Sequence, residues 1–435
     1  MKNIYHLVVA LLANLYYGFP GSKLTVIGVT GTDGKTTTTH MIYEMLKGAG
    51  KKVSMLSTIQ AVVGGEAYDT GFHVTTPDPH VLPKFLREAV KHGDEYFVLE
   101  VSSHALDQNR VAFTRFAIGV LTNLSHEHLD YHKTFARYAN AKFSLLRRAQ
   151  EAVVLPQEGV SKEALLYAEF DNMAKDVFTF GMQKGKETQE KWQLKLSIPG
   201  DFNILNALSA ASVGVALKLD HNAVKKALEQ FKGIAGRYEE MPTGKDFRVV
   251  IDFAHKPNAL EQVLKTARGE LKADRASKHH PRGVVSQHPR GGRLAQRSLG
   301  KVGMDSPGVN GGRLIVMYGC ASERDVFKRS MMGEISGRLA DITVLTDEDP
   351  RFEDSMKIIE EIEEGLQKVG AKEDVTYFKI PNRAKAIEFI IQKLARKGDI
   401  VLLCGKGHEK SINYRGTEEP WSEEGAVRKA LAIFQ

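Results

Sequence analysis

Lys35 and Thr36 stand where phosphate chemistry would need them. They follow glycines at Gly28, Gly31 and Gly34 in the stretch VIGVTGTDGKTTTT, Val26 to Thr39. In a phosphate cradle, backbone N–H groups and a helix N-terminus hold phosphate oxygens. Lys35 would neutralise the terminal phosphates, and the Thr36 hydroxyl would ligate Mg²⁺. The commoner G-x-x-x-x-G-K-[ST] spacing would put its first glycine at Val29; the pattern here is G-x-x-G-x-x-G-K-T-T. The alternative is a glycine-rich turn that binds nothing. A strand-like run before the loop and Lys-Thr-Thr after it argue against that. Gly31, Thr32, Asp33, Gly34, Lys35, Thr36 and Thr37 are thus candidate residues for holding a nucleoside triphosphate.

Further residues could serve the same chemistry. Glu100 closes the apolar run YFVLE. A carboxylate at the carboxyl end of a parallel strand is placed for Mg²⁺, and a surface Glu at a strand end is an equal reading. Thr122 to His132 gathers His126, His128 and His132 with Glu127 and Asp130. Such a cluster points to metal or phosphate chemistry. Its H-x-H-x-x-x-H spacing matches no structural zinc motif, so Mg²⁺ or Mn²⁺ alongside ATP is expected. Lys142 lies on a helix expected over Tyr138 to Arg148. Asn203 and Asn206, near the start of a small-residue helix, either cap it or read a base edge.

The elements that position these residues follow an α/β rhythm. Strand-like runs at Leu24–Val29, Lys52–Thr58, Tyr96–Val101, Ala117–Leu121 and Ala152–Leu155 alternate with helical stretches. After a hinge-like segment, Phe231 to Arg237, the pattern repeats. Strands are expected at Arg248–Phe253, Leu314–Met317, Asp341–Leu345, Val375–Phe378 and Asp399–Leu403, and helices at Asn258–Leu271, Ser355–Val369 and Arg383–Ala395. Polar loops recur at strand carboxyl ends, where open sheets bind ligands. The expected divisions are an apolar helix and linker at 1–22, an ATP-binding domain at 23–235 and a second α/β domain at 236–435.

Composition narrows the function classes. The chain has 435 residues and a net charge of +7. Leu271 to Arg313 holds nine Lys/Arg and two acids, which is the whole net charge. The excess basicity therefore belongs to one Gly/Ser/Arg-rich segment, 271–313. It is expected to be a disordered insertion rather than an RNA-binding tail, and no nucleic-acid partner is expected. Ile4 to Tyr17 is the most apolar stretch and is too short to span a bilayer. It reads as a helix packed on the first domain, with membrane-surface docking as a minor alternative. Two cysteines, Cys320 and Cys404, form no disulfide framework and fit a reducing cytoplasm.

Eight motifs occur in the order found in the Mur ligase family. They are Gly28–Thr38, Thr75–Pro79, Glu100–Leu106, Thr122–His132, Asp252–Leu260, Gly319–Asp325, Asp347–Arg351 and Gly405–Glu409. The chain resembles that family, most of all its MurE type, from about Val26 to the C-terminus apart from the basic segment. The resemblance implies a P-loop ATPase domain with a mostly parallel sheet, followed by a Rossmann-like α/β domain. It implies an ATP- and Mg²⁺-dependent ligase that phosphorylates the terminal carboxylate of a UDP-MurNAc-dipeptide and joins it to an amino acid, meso-diaminopimelate or lysine. It makes Lys35, Glu100, His128 and a carbamylated Lys142 catalytic, with Thr36, Glu100, His128 and Lys142 on metal. Asn206, Arg237 and Asp252 match contacts to adenine, phosphate and ribose. Thr75, Thr76, Ser102 and Arg110 match contacts to the UDP-MurNAc-peptide. His255, Arg324, Glu348, Asp349, Arg351, Gly405 and Glu409 fall on the substrate side, mostly around the incoming amino acid.

Three departures stand out. Asp33 replaces the family's usual Asn and adds negative charge beside the phosphates. Glu348-Asp349-Pro350-Arg351 replaces Asp-Asn-Pro-Arg; Arg351 leans toward diaminopimelate, whereas Asp349 would favour a free amine. Only about 25 residues precede the phosphate strand, against the ~100 of an ordinary domain. The family's N-terminal UDP-sugar domain is therefore expected to be missing. A lipid-linked or other peptide acceptor, or a partner subunit, is its expected replacement. Competing readings are the same chemistry on a folylpolyglutamate or poly-amino acid, and a non-catalytic ATP-binding subunit.

Overall fold

A computed structural model describes residues 2–68, 75–125, 127–154, 167–174, 177–184, 187–188, 192–278, 312–322 and 325–433. The chain divides into two units, Met1–Glu239 and Glu240–Gln435.

The first unit opens with α1 (Lys2–Tyr17) and a 3-10 turn (Pro20–Lys23) that leads into β1 (Thr25–Thr30). Then follow α2 (Lys35–Gly48), β2 (Val53–Leu56), the short strands β3 (Ala61–Val63) and β4 (Glu66–Tyr68), α3 (Leu82–Lys91) and β5 (Tyr96–Glu100). The chain continues through α4 (Ser103–Asp107), β6 (Phe116–Leu121), α5 (Leu129–His132), α6 (Phe135–Arg148) and β7 (Glu151–Val154). The strands form one sheet in the order β4-β3-β2-β5-β1-β6-β7. Its β2, β5, β1, β6 and β7 run parallel. A small antiparallel sheet of β8 (Tyr167–Ala174), β9 (Val177–Lys184), β10 (Glu187–Thr188) and β11 (Trp192–Lys195) precedes α7 (Asp201–Ala216) and α8 (His221–Glu229).

Alternation along β1 explains the layers. Ile27 and Val29 point into a core completed by Met41, Leu208 and Val213 from α2 and α7. Val26 points the other way, against Phe97, Leu99 and Phe116. Each fully buried aliphatic side chain contributes about 1.5–3 kcal/mol. Gly28 departs from the loop reading, because it lies inside β1. A Cβ there would come within 2.8 Å of the Phe116 ring and 2.9 Å of Leu145, so its smallness serves packing and not a phosphate.

β1 sits between β5 and β6: the connection out of β1 runs to β2 on one side, and the later connection out of β5 crosses to β6 on the other. That switch point is where doubly wound sheets open a crevice at the carboxyl ends. The register places Glu100 beside Val29 and Leu121 beside Thr30, so three loops issue there together.

The second unit comprises β12 (Glu239–Met241), β13 (Arg248–Asp252), α9 (Pro257–Lys278), β14 (Leu314–Tyr318), α10 (Phe327–Leu339), β15 (Ile342–Leu345), α11 (Ser355–Lys368) and β16 (Tyr377–Lys379). It ends with α12 (Arg383–Phe389), β17 (Ile400–Cys404), the hairpin β18 (Ser411–Tyr414) and β19 (Thr417–Pro420), and α13 (Glu423–Ile433). The sheet order is β12-β13-β17-β14-β15-β16, with β13 through β16 parallel. α9 runs on to Lys278, past the expected start of the disordered insertion. Leu271 is buried there, and Arg275 donates to the Gly312 carbonyl at 2.9 Å. Arg313 also belongs to the fold, paired with Asp399 at 2.7 Å. The expected insertion between these ends, 279–311, lies outside the described residues.

Candidate active site

The first site forms at the carboxyl edge of β1. Gly34 caps α2 with φ +77, a conformation that strains L side chains, and a Cβ there would lie 2.2 Å from Asn206 Oδ1. The loop is held from outside by β6's continuation. Asn123 accepts from the Asp33 N–H at 2.9 Å, while Thr122 Oγ1 and Asn123 Nδ2 donate to the Asp33 carbonyl at 2.6 and 3.1 Å. Thr32 Oγ1 meets the Tyr138 hydroxyl at 2.8 Å.

Two lysines converge on this loop. Lys35 Nζ donates to the Gly31 and Thr32 carbonyls at 3.0 and 2.8 Å. Buried Lys142 donates to the same Gly31 carbonyl at 2.5 Å and lies 4.7 Å from the centre of the Tyr138 ring. Burial pushes the Tyr138 phenol well above its ordinary range, so the ring presents a neutral face to that cation.

Glu100 is the buried carboxylate of this edge. Its Oε1 accepts from Thr36 Oγ1 at 3.1 Å and Thr58 Oγ1 at 3.0 Å, and its Oε2 from the Thr58 N–H at 2.8 Å. Arg237 approaches Thr36 Oγ1 at 3.4 Å. Among the described residues no group of three or more His, Cys, Asp and Glu is placed to hold a metal by itself. The Thr36 and Glu100 oxygens are nonetheless the kind of donors that would hold a hard divalent cation. Thr37 is buried in the first turn of α2, and Asn206 accepts from Thr38 Oγ1 at 3.2 Å. Asn206 thus braces the start of α2 from α7, with its Nδ2 donating to Asn203 Oδ1 at 3.3 Å.

The described histidines of the cluster stay together on folding, His128 and His132 both packing against His104 at 4.8 and 5.5 Å between ring centres. His132 is buried with Nε2 3.1 Å from Ser103 Oγ, and its pKa is lowered mainly by burial. His104 stacks on Tyr131 at 4.3 Å and meets His128 edge-to-face at 4.8 Å. His128, at φ +53, stands 3.6 Å from Glu127 and 6.3 Å from the Tyr138 ring. His126 lies outside the described residues.

Beside Glu100, Thr76 Oγ1 donates to its carbonyl at 3.1 Å and accepts from the Ser102 N–H at 2.9 Å. Ser102 caps α4, and Arg110 donates to the Thr76 carbonyl at 3.3 Å and faces Asp78 at 3.8 Å. Thr75 begins the described part of this turn, half-buried.

The second unit gathers its own set at the ends of β13, β14, β15 and β17. Asp252 caps the turn after β13 by accepting from the Ala254 N–H at 2.7 Å. His255 gives its carbonyl to Lys328 Nζ at 2.8 Å. Asp349 accepts from Lys406 Nζ and the Asn413 N–H, both at 3.0 Å, and Lys406 also pairs with Glu409 at 2.6 Å. Glu348 is buried, and its Oε2 has no hydrogen-bond partner among the described residues. Burial pushes its carboxyl up, against the pull of Lys328 and Lys406. A Cβ at Gly405, φ +105, would stand 3.3 Å from that Oε2. Arg351 sits at φ +48, its backbone locked to the hairpin by Asn413 and Arg415. Arg324 lies outside the described residues.

Thr58 and Arg383 escaped the reading of the sequence, while Thr122, Asn123 and Lys406 lie in motifs noted there without a role of their own. Arg383 is wholly buried on Glu423 and donates to the Asp347 carbonyl at 3.1 Å and the Cys404 carbonyl at 2.8 Å. It thereby ties together the two loops that carry Glu348–Arg351 and Gly405–Glu409. Nothing in its sequence context signals this, because its partners are distant in the chain.

A buried carboxylate facing the hydroxyl of a Lys-Thr helix start suits a polyphosphate carried with a divalent cation, so the fold and site define a nucleoside-triphosphate-using α/β enzyme. Comparison with known proteins agrees. Residues 29–214 match the Mur ligase middle domain, and residues 301–407 match the Mur ligase, glutamate ligase domain. The chain is 35% identical to the UDP-N-acetylmuramyl-tripeptide synthetase of Roseiflexus sp. (strain RS-1), covering 97% of this chain and 81% of that protein. It is 33% identical to the UDP-N-acetylmuramoyl-L-alanyl-D-glutamate–2,6-diaminopimelate ligase of Alkaliphilus metalliredigens (strain QYMF), over 92% of this chain and 76% of that protein. A solved 2,6-diaminopimelate ligase of this kind superposes with TM-score 0.53 at 26% identity, over 94% of this chain and 78% of the other. The FolC protein of E. coli in complex with ADP shares the fold alone, with TM-score 0.64 at 18% identity over 92% and 90% of the two chains. The chain belongs to the Mur ligase family, in its MurE type, and is an ATP-dependent ligase.

Proposed function

We propose that the chain joins meso-diaminopimelate to the terminal carboxylate of a UDP-MurNAc-dipeptide, with ATP and Mg²⁺, in peptidoglycan precursor synthesis. Arg351 carries the choice of amino acid. Its guanidinium makes no hydrogen bond or ion pair among the described residues, on a loop whose backbone is fixed. A rigid fork of donors suits a second carboxylate, which diaminopimelate has and lysine lacks. Asp349, the residue that would favour a free amine, is already engaged by Lys406 and the Asn413 N–H.

The chemistry asks mostly for positioning and charge neutralisation. Lys35 and the N–H groups opening α2 hold the terminal phosphates. Thr36 and Glu100 would hold Mg²⁺, which when bound neutralises phosphate oxygens. Thr76, Ser102 and Arg110 orient the acceptor peptide. Its carboxylate oxygen attacks the γ-phosphorus and ADP departs, leaving an acyl phosphate. The amine then attacks the acyl carbon, phosphate leaves, and the amine proton passes to solvent. Lys142, as its carbamate, adds a negative charge where the unmodified chain has a cation. No helix of the described residues is long and apolar enough to cross a membrane, and the free, buried Cys320 and Cys404 fit a reducing cytoplasm.

Phosphate release from ATP and Mg²⁺, measured across candidate amino acids with and without UDP-MurNAc-Ala-Glu, tests the proposal. Stimulation is expected only with diaminopimelate and acceptor together. No stimulation by any pairing overturns the ligase reading, and preference for lysine overturns the role given to Arg351.

A further inference from the structure

One residue holds the Glu100 carboxylate at both of its oxygens. Thr58 Oγ1 donates to Oε1 at 3.0 Å, and the Thr58 N–H donates to Oε2 at 2.8 Å. Thr36 adds a single bond, to Oε1 at 3.1 Å. A carboxylate held by one donor is free to swing about that bond, whereas donors on both oxygens fix its plane. Glu100 is 1% exposed, so a donor that is lost has no solvent to replace it. Register explains the pairing. Leu56, the last residue of β2, lies beside Leu99 of β5, so Thr58 and Glu100 arrive at the same carboxyl edge of the sheet.

The turn that carries Thr58 is itself pinned to the phosphate-loop helix. Ser57 is fully buried; its Oγ accepts from the Ile59 and Gln60 N–H groups, both at 3.3 Å, and donates to the Gln60 carbonyl at 3.0 Å. His40 of α2 meets that same Oγ at 3.1 Å. His40 stands four residues beyond Thr36, one helical turn along the same face. One face of α2 therefore reaches Glu100 twice, directly through Thr36 and again through the Ser57–Thr58 turn. A hydroxyl that offers a lone pair to a cation still has its proton to donate, so Thr36 can serve both, but it approaches one carboxylate oxygen only. Groups that hold a metal's ligand from behind set its orientation and account for about 10–100-fold in metal affinity.

We propose that Thr58 is a positioning residue for Glu100, holding its carboxylate in the orientation that a divalent cation takes beside bound nucleotide. That role rests on Thr36 and Glu100 as the holders of Mg²⁺ in the proposed function. Mn²⁺ binding to the full chain at saturating ADP, read from the electron paramagnetic resonance of the free ion, tests it without turnover. Thr58→Val keeps the side chain's shape and the N–H but removes the hydroxyl, and should weaken Mn²⁺ binding about 10-fold. Thr58→Ser restores the hydroxyl and should restore most of the affinity. ADP affinity measured in EDTA should be the same for all three chains. Wild-type Mn²⁺ affinity in Thr58→Val overturns the proposal, as does a serine variant no better than the valine one. An equal loss of ADP affinity in EDTA overturns it in favour of a turn that only shapes the nucleotide loop. Glu100→Gln tells the two levels apart. If it binds Mn²⁺ as wild type does, Glu100 holds no cation and both assignments fail. If it weakens binding while Thr58→Val does not, the role of Thr58 alone fails.

Discussion

Thr36 Oγ1 and Glu100 Oε1 lie 3.1 Å apart, joining the first turn of the phosphate-loop helix to the end of the neighbouring parallel strand. The two residues are 64 positions apart in sequence, and the contact exists because β5 lies directly beside β1. Glu100→Gln preserves shape but removes the charge. It should lower the rate of phosphate release by at least about 100-fold, the scale of losing one electrostatic stabiliser. Glu100→Ala additionally strands the Thr58 N–H and costs about 1–3 kcal/mol of stability. Steady-state rates and thermal melts on both variants separate the two effects.

Asp33 should weaken ATP binding relative to Asn. Its backbone is pinned from both sides by Thr122 and Asn123, so a substitution there leaves the loop in place. One negative charge a few ångströms from phosphate is worth on the order of 1 kcal/mol in a solvated site. Asp33→Asn is expected to lower the KM for ATP several-fold and to relax the dependence on Mg²⁺. An unchanged or raised KM would show that this carboxylate does not face the phosphates.

Lys142 separates a structural cation from a modified one. As an amine it donates to the Gly31 carbonyl. If its working form is the carbamate, Lys142→Ala should lose activity and regain part of it with formate or acetate. Rescue by short-chain amines instead would assign the function to the cation.

Arg351→Ala should raise the KM for diaminopimelate by roughly 10- to 100-fold, matching the ~1.5–3 kcal/mol of a hydrogen bond to a charged group. The KM for ATP should stay within about twofold. Competition assays with lysine check the assignment, since discrimination between the two amino acids should collapse in the variant.

His40 makes stability depend on pH. Buried against Ser57 at 3.1 Å, its pKa is lowered to about 4, by burial first and by Arg237 second. The unfolded chain, with a histidine near the ordinary 6.5, binds the proton more readily between those values. The contribution of neutral His40 is therefore complete above about pH 6.5 and is lost as pH falls toward 4, on the order of 3 kcal/mol in all. Denaturant unfolding across that window should show the loss, and His40→Gln should flatten it.

Much of the site was legible in local sequence, because its determinants are local. Lys35 and Thr36 must follow a glycine that opens a helix, and a carboxylate that ends an apolar strand must surface at a sheet edge. The alternation of Ile27 and Val29 with Val26 likewise dictates two-sided burial within six residues. Gly28 looked like part of the cradle because sequence spacing does not distinguish a glycine needed for backbone conformation from one needed for packing. Only the ring of Phe116, brought alongside by β6, shows that it is the latter. The same holds for Arg383, whose fixing of two substrate loops depends on partners 36 and 21 positions away. The outward face of α1 is the converse case. Its apolar residues were plain in the sequence, but the sequence does not say which of them face the first unit. The tertiary structure turned His6 and Asn14 inward, where they find backbone and helix partners, and left Leu11 and Leu15 outside.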